Sequence, residues 1–217
     1  MNSINYNQIS SSDSLVAQLE LIGIISEELG KYKTSCILID EFAAEFYTGS
    51  FYRAQYIALL IDGSEETADR LLKELEFIKK HGLYILDSRK MGFPVYIKIK
   101  TVSSQLIMNK FTIIKCRSGA AVKIITIEEM LTKFILEYSM SYSFKKSEQI
   151  ISMLFNHHEN LDLDYIYSKF RENNITLILD EFIGKYKQLK KVAENVYFSI
   201  ENWYTFRFTN MLLRAII

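Results

Sequence analysis

The chain has 217 residues, 49% apolar and 24% charged, the proportions of a globular protein long enough to bury a sizeable core. Its 26 Lys and Arg balance 26 Asp and Glu, which argues against a general polyanion binder, because affinity for a phosphate backbone comes from clustered excess cations. No apolar run approaches the roughly 20 residues needed to cross a bilayer. The polar stretch from Met1 to Asp13 has neither the basic nor the apolar region of a secretory leader, so a cytoplasmic protein with no membrane partner is expected.

One proline, Pro94, and eight glycines leave no composition for a flexible linker, and no internal repeat is visible. After the Ser10-Ser11-Ser12 run, Asp13 or Ser14 can cap a helix reaching about Leu29, with Leu15, Val16, Leu19, Ile22 and Ile25 at helical spacing and Gly30 as its C-terminal cap. Cys36–Ile39 is short, apolar and β-branched, as a buried strand is. Glu41–Tyr47 predicts a short helix ending at Gly49, and Tyr56–Ile61 a second apolar strand. Ser64, followed by Glu65 and Glu66, opens a helix whose apolar face runs through Leu71, Leu72, Leu75 and Ile78. Strands are predicted at Tyr84–Leu86, Val95–Thr101, Phe111–Cys116 and Val122–Ile125, the last two joined by a Ser118-Gly119 turn; the alternation in Val95–Lys100 marks a half-exposed strand. Thr126-Ile-Glu-Glu129 has the spacing of a capping box. Helices then follow at about Lys145–Phe155, Asp162–Glu172, Leu177–Val192 and, rich in aromatics, Ser199–Ala215. The fold class is therefore α/β (α+β), a strand-rich core followed by a helical bundle.

The segment from Ile37 to Leu59, ILIDEFAAEFYTGSFYRAQYIAL, resembles the signature of minimal nucleotidyltransferases, nearest to the AbiE-type toxin-like group. The stretch Ile125 to Phe134, containing Lys133, resembles the helix that follows the core in that family, and Asn160 to Tyr167 its helical tail. The resemblance spans roughly residues 36–190. It implies a nucleotidyltransferase-like mixed sheet flanked by helices, with the core and its N-terminal helix in residues 1–125 and a C-terminal helical region in 126–217. It also implies where the chemistry should lie: two aspartates on one face of the second strand, a third carboxylate on a later strand holding Mg²⁺ against the nucleotide phosphates, and a glycine pair admitting those phosphates. At these positions the chain carries Tyr56 and Ala58, Tyr96, and Asp40-Glu41. The scaffold motif is kept while the ligands are lost, which is the pattern of a degenerate site. Two carboxylates at 40 and 41 would also repel a triphosphate.

Asp40 and Glu41 read either as relocated metal ligands or, more simply, as a strand end followed by favourable charge at a helix N-terminus. Asp62 reads as a helix cap. The resemblance makes Arg53 and Lys133 possible phosphate contacts; a salt bridge and an ordinary surface lysine are the plainer readings. His81 reads as a dipole partner at a helix end, and His157-His158 as an exposed loop without the spacing for a metal. Cys36 and Cys116 read as buried hydrophobes. The run from Tyr197 to Ile217, with Trp203 and Phe206, carries more apolar surface than one helical stripe. It predicts core packing or self-association, most simply a homodimer. The Lys145-Lys146 and Lys187–Lys191 clusters read as solvated faces, so nucleic acid is not expected as a partner.

These readings converge on a nucleotidyltransferase-like protein without standard catalysis. It would act as a binding, regulatory or toxin–antitoxin-related module with a protein partner and no expected cofactor. The alternatives are an active transferase, using Mg²⁺ and an NTP with relocated ligands, and a purely structural interaction protein.

Overall fold

A computed structural model describes residues 6, 9, 13–49, 52–101, 110–171 and 175–196, the last four by backbone alone. The aromatic helix expected at 199–215 lies outside the described residues. The chain divides into two compact units, Met1–Thr126 and Ile127–Ile217.

The first unit is built on a seven-stranded mixed sheet. Its elements are α1 (Ser14–Lys31), β1 (Cys36–Ile39), α2 (Asp40–Tyr47), β2 (Ile57–Ile61), α3 (Glu65–Glu74), β3 (Ile78–Lys80), β4 (Leu83–Leu86), α4 (Ser88–Met91), β5 (Val95–Thr101), β6 (Phe111–Lys115) and β7 (Ala121–Ile125). The strand order is β3-β4-β5-β2-β1-β7-β6. The expected pairing of the first two strands is present: β1 lies antiparallel to β2, joined through α2. β2 runs parallel to β5 and β1 parallel to β7. The two central strands are buried along their whole length, which is why their sequences are unbroken apolar runs without alternation. Helix α1 packs on β7 and α3 on β5. Gly23 permits the first of these contacts, since a Cβ there would sit 2.8 Å from Ala120 Cβ.

Two helix ends differ from expectation, for one reason. Gly30 is inside α1, and the left-handed residue after the helix is Lys33, at φ 56°. Thr34 N donates to Leu29 O and Lys33 N to Gly30 O, the paired bonds of a Schellman cap. Likewise α3 stops at Glu74, and Glu76 takes φ 65° while Phe77 N donates to Leu72 O and Glu76 N to Lys73 O. Ile78 therefore leaves the helix for the edge strand β3, where it is 70% exposed. Glycine marks such caps in a sequence, and here lysine and glutamate occupy them. His81 is likewise not at a helix end. It forms the β3–β4 turn with Gly82, at φ 51° and 76°, the left-handed pair that suits a two-residue hairpin.

Asp62 caps no helix; it accepts from Ser35 N at the start of β1, and Ser64 caps α3 by accepting from Thr67 N at 3.2 Å. Cys36 is buried as expected, but Cys116 is only half-buried. Burial pushes both thiols up to about 11, so neither is a thiolate near neutrality.

The second unit is helical: α5 (Ile127–Ser141), α6 (Phe144–His157), a 3-10 turn at His158–Asn160, α7 (Leu163–Phe170) and α8 (Thr176–Val196). Its core is formed by residues such as Phe134, Ile150, Leu154, Phe170 and Phe182. Tyr138 meets Phe182 edge-on, with ring centres 4.9 Å apart. His157 and His158 are not an exposed loop. They end α6 and start the 3-10 turn, and His158 stacks on Tyr186 at 4.4 Å. Among the described residues no helix is long and apolar enough to cross a membrane.

Candidate functional site

The residues that carried the motif Phe-Tyr-Thr-Gly act as staples. Tyr47 Oη donates to Ile125 O at 2.7 Å, tying the end of α2 to the end of β7. Thr48, fully buried, returns its hydroxyl to Ala44 O at 2.8 Å. Gly49 then reverses the chain at φ 63°, a conformation glycine adopts without steric cost. Glu45 secures the following loop by accepting from Ala54 N at 2.7 Å. These contacts fix the geometry of the strand–helix–strand unit.

The positions that the resemblance marks as a site lie on one face of β2 and β5. The register sets Ile39 of β1 opposite Ala58, and Ala58 opposite Lys98 of β5; Leu60 is opposite Lys100. Side chains alternate along a strand, so Ala58, Leu60, Lys98 and Lys100 share a face, and Tyr96 has the same parity. Lys98 Nζ lies 5.6 Å from the centre of the Tyr56 ring. Ala58 is fully buried, Tyr56 and Tyr96 are half-buried, and Lys98 is exposed. The structure thus gathers Tyr56, Ala58 and Lys98, the last of which sequence reading passed over. The alternation Tyr96-Ile-Lys98-Ile-Lys100 is the sequence signal that puts Lys98 on this face.

Asp40 opens α2 in the left-handed region, at φ 60°. A short polar side chain tolerates that conformation better than most. Its carboxylate is nearly buried and forms an ion pair with Lys100, whose side chain is 39% exposed. This alters the expected electrostatics: the charge at position 40 is not bare but neutralised from β5. Glu41 is half-buried in the first turn of α2. Arg53 is exposed, and its charge favours the ionised form of Glu45. Lys133 lies on α5 in the second unit, 3.7 Å from Glu137 Oε1.

This donor set does not fit a divalent cation. It offers phenols, a methyl group and two ammonium groups, with its buried carboxylate already held by Lys100; hard cations take several oxygen ligands, typically carboxylates. Among the described residues, no group of three or more His, Cys, Asp and Glu side chains could hold a metal ion.

Glu45 supplies a pH-dependent element nearby. Burial raises its pKa, while the Ala54 N–H and Arg53 act in the opposite direction. A carboxyl group whose folded pKa is raised contributes its full stability when protonated. That contribution falls as pH climbs through the ordinary glutamate value of about 4.3 and on through the raised one. Wild type should therefore lose stability relative to Glu45→Gln across that window, with the difference constant above it. Urea denaturation of both proteins from acid to neutral pH measures this; a difference that does not change with pH would refute it.

A separate cleft of about 260 Å³ opens in the second unit, lined by Phe155, Asn156, His158, Glu159, Asn160, Tyr186 and Lys190. Lys190 is engaged with Glu159 at 2.7 Å. Burial, with Lys187 and Lys190 nearby, lowers the pKa of His158.

The sheet order and its flanking helices define a nucleotidyltransferase-like fold. Among solved structures, an antigenic nucleotidyltransferase-like protein from Paracoccidioides brasiliensis matches over 77% of this chain and 92% of its own, with a TM-score of 0.52 and 18% identity. At that identity the likeness establishes the fold alone. The antibiotic-resistance factor ANT(2'')-Ia also aligns, over 88% of this chain and 100% of its own, with 8% identity and a TM-score of 0.40, too distant to bear on the argument. By sequence, the chain matches no protein-family model and no curated protein.

Proposed function

We propose that this protein is a nucleotidyltransferase-like binding or regulatory module of the cytoplasm that does not carry out metal-dependent nucleotidyl transfer. The observation that carries this reading is the register of β2 against β5, which sets Lys98 beside Ala58 where the resemblance calls for carboxylates. An ammonium group repels the divalent cation that a carboxylate would hold. Asp40 does not compensate, because Lys100 occupies it. A role in a toxin–antitoxin pair, with a protein partner, follows from the AbiE-type resemblance of residues 37–59.

The deciding experiment incubates the full chain with each labelled NTP in Mg²⁺ or Mn²⁺, with and without total bacterial protein and RNA as acceptors. No transfer above a heat-inactivated control is expected. Metal-dependent labelling that is lost in Asp40→Asn would replace this reading with an active transferase using relocated ligands.

A further inference from the structure

The second unit carries a cavity of its own. The cleft of about 260 Å³ is built from the end of α6, the 3-10 turn and α8. Among its lining residues, Lys190 Nζ meets Glu159 Oε1 at 2.7 Å, with the two side chains 41% and 75% exposed. The Phe155 and Tyr186 rings line the same cleft, edge-on with centres 6.4 Å apart. The geometry points to a binding site for one free amino acid with an apolar or aromatic side chain, its carboxylate on Lys190 and its ammonium group on Glu159. This inference is independent of the reading above, because every residue it uses belongs to the second unit.

Four observations select this class of ligand. The first is size: the cleft falls just below the roughly 300–1,000 Å³ of ordinary small-molecule sites, which suits a single amino acid and is too small for a nucleotide. The second is charge. Pairing with Lys190 lowers the pKa of Glu159, and pairing with Glu159 raises that of Lys190, so both stay ionised near neutrality. Both reach solvent, and an exposed pair of this kind contributes little to folding. A zwitterion entering between them exchanges one ion pair for two and strands no charge. A simple anion would leave Glu159 unmatched beside it, and a simple cation would do the same to Lys190. The third is the lining: the two rings offer an apolar wall, while the amides of Asn156 and Asn160 supply donors and acceptors suited to both ends of a zwitterion. The fourth is His158, which stacks on Tyr186 at 4.4 Å. Burial, with Lys187 and Lys190 nearby, lowers its pKa, so the ring adds no further positive charge and the cleft keeps one ammonium facing one carboxylate. Its Nε2 is covered and has no hydrogen-bond partner among the described residues. Native folds pair nearly all their buried polar atoms, and here an exception falls in the cleft wall.

The test is calorimetric titration of the full chain with L-leucine, L-methionine, L-phenylalanine and L-tyrosine, and with two capped forms of whichever binds best. The N-acetyl derivative removes the ammonium charge and the carboxamide removes the carboxylate. Saturable binding of at least one free amino acid is expected, with each cap weakening it roughly tenfold, the loss of one charge-assisted contact. Glu159→Gln should abolish the difference between the free and N-acetylated ligands, and Lys190→Gln the difference between the acid and the carboxamide. Both substitutions lie at the surface, so the fold should persist, as circular dichroism checks. Lys187→Gln, outside the lining, should leave affinity unchanged. No saturable binding by any of the four up to their solubility limits would overturn the proposal. So would capped ligands that bind as tightly as the free one, or affinity unchanged in both Glu159→Gln and Lys190→Gln. ATP that competes with the bound amino acid would show that the cleft admits a nucleotide, and would also overturn it. None of these results bears on nucleotidyl transfer, which the labelled-NTP experiment decides separately.

Discussion

Placing an aspartate at position 58 is expected to unfold the sheet instead of building a metal site. Ala58 has no solvent exposure and lies in β2 between Ile39 and Lys98. A carboxylate there would be taken out of water beside Ile39, with Lys98 as its nearest opposite charge. Burying an ion costs several kcal/mol and its partner repays only part of that, so a loss of about 3 kcal/mol is expected. Tyr56→Asp, at a half-buried position, should cost less than about 1 kcal/mol. The double variant should therefore be unstable and inactive, even though it restores the spacing of two carboxylates on one strand face. Urea denaturation gives the signature. The Ala58→Asp protein should regain stability relative to wild type as pH falls, because protonation removes the buried charge. A variant as stable as wild type at neutral pH that also gained Mg²⁺ binding would show that position 58 opens onto a hydrated pocket, and would remove the basis for the metal-free reading.

Leu59→Ala should be strongly destabilising. Leu59 is completely buried, faces the opposite side of the sheet from Ala58, and is paired with Leu38 on β1 and Ile99 on β5. Removing its side chain leaves a cavity between rigid strands that cannot collapse, which costs about 2–5 kcal/mol. Ile78→Ala removes the same kind of apolar side chain from a site that is 70% exposed on the sheet edge, and should change stability by less than about 0.5 kcal/mol. Hydrogen exchange at the β2 amides, with urea denaturation by far-UV circular dichroism, separates the two. Similar losses in both variants would mean that β3 and β2 are buried alike, against the strand order described above.

Several elements were legible because the local chain dictates them. Ser64 before Glu65-Glu66 favours a helix start, and the short, β-branched apolar runs at 36–39 and 57–61 favour strands buried on both faces. Helix ends were less legible: Lys33 and Glu76 adopt left-handed caps that depend on the backbone bonds around them, and no residue type announces that. Tyr56, Ala58 and Tyr96 are read in the sequence only as the positions where the resemblance implies carboxylates.

What the sequence by itself determined was most of the strands and helices and the two-residue spacing on β2, because each depends on residues near one another in the chain; the edge strand β3 and the short helix α4 were not among them. What only the tertiary structure decided was the company those positions keep. Lys98 stands beside Ala58 through a parallel pairing forty residues apart, and Lys100 reaches Asp40 across sixty. Strand register and the crossing of a sheet are set by packing that no local pattern encodes. A position that reads as an unopposed negative charge along the chain is, in the fold, one half of a part-buried ion pair.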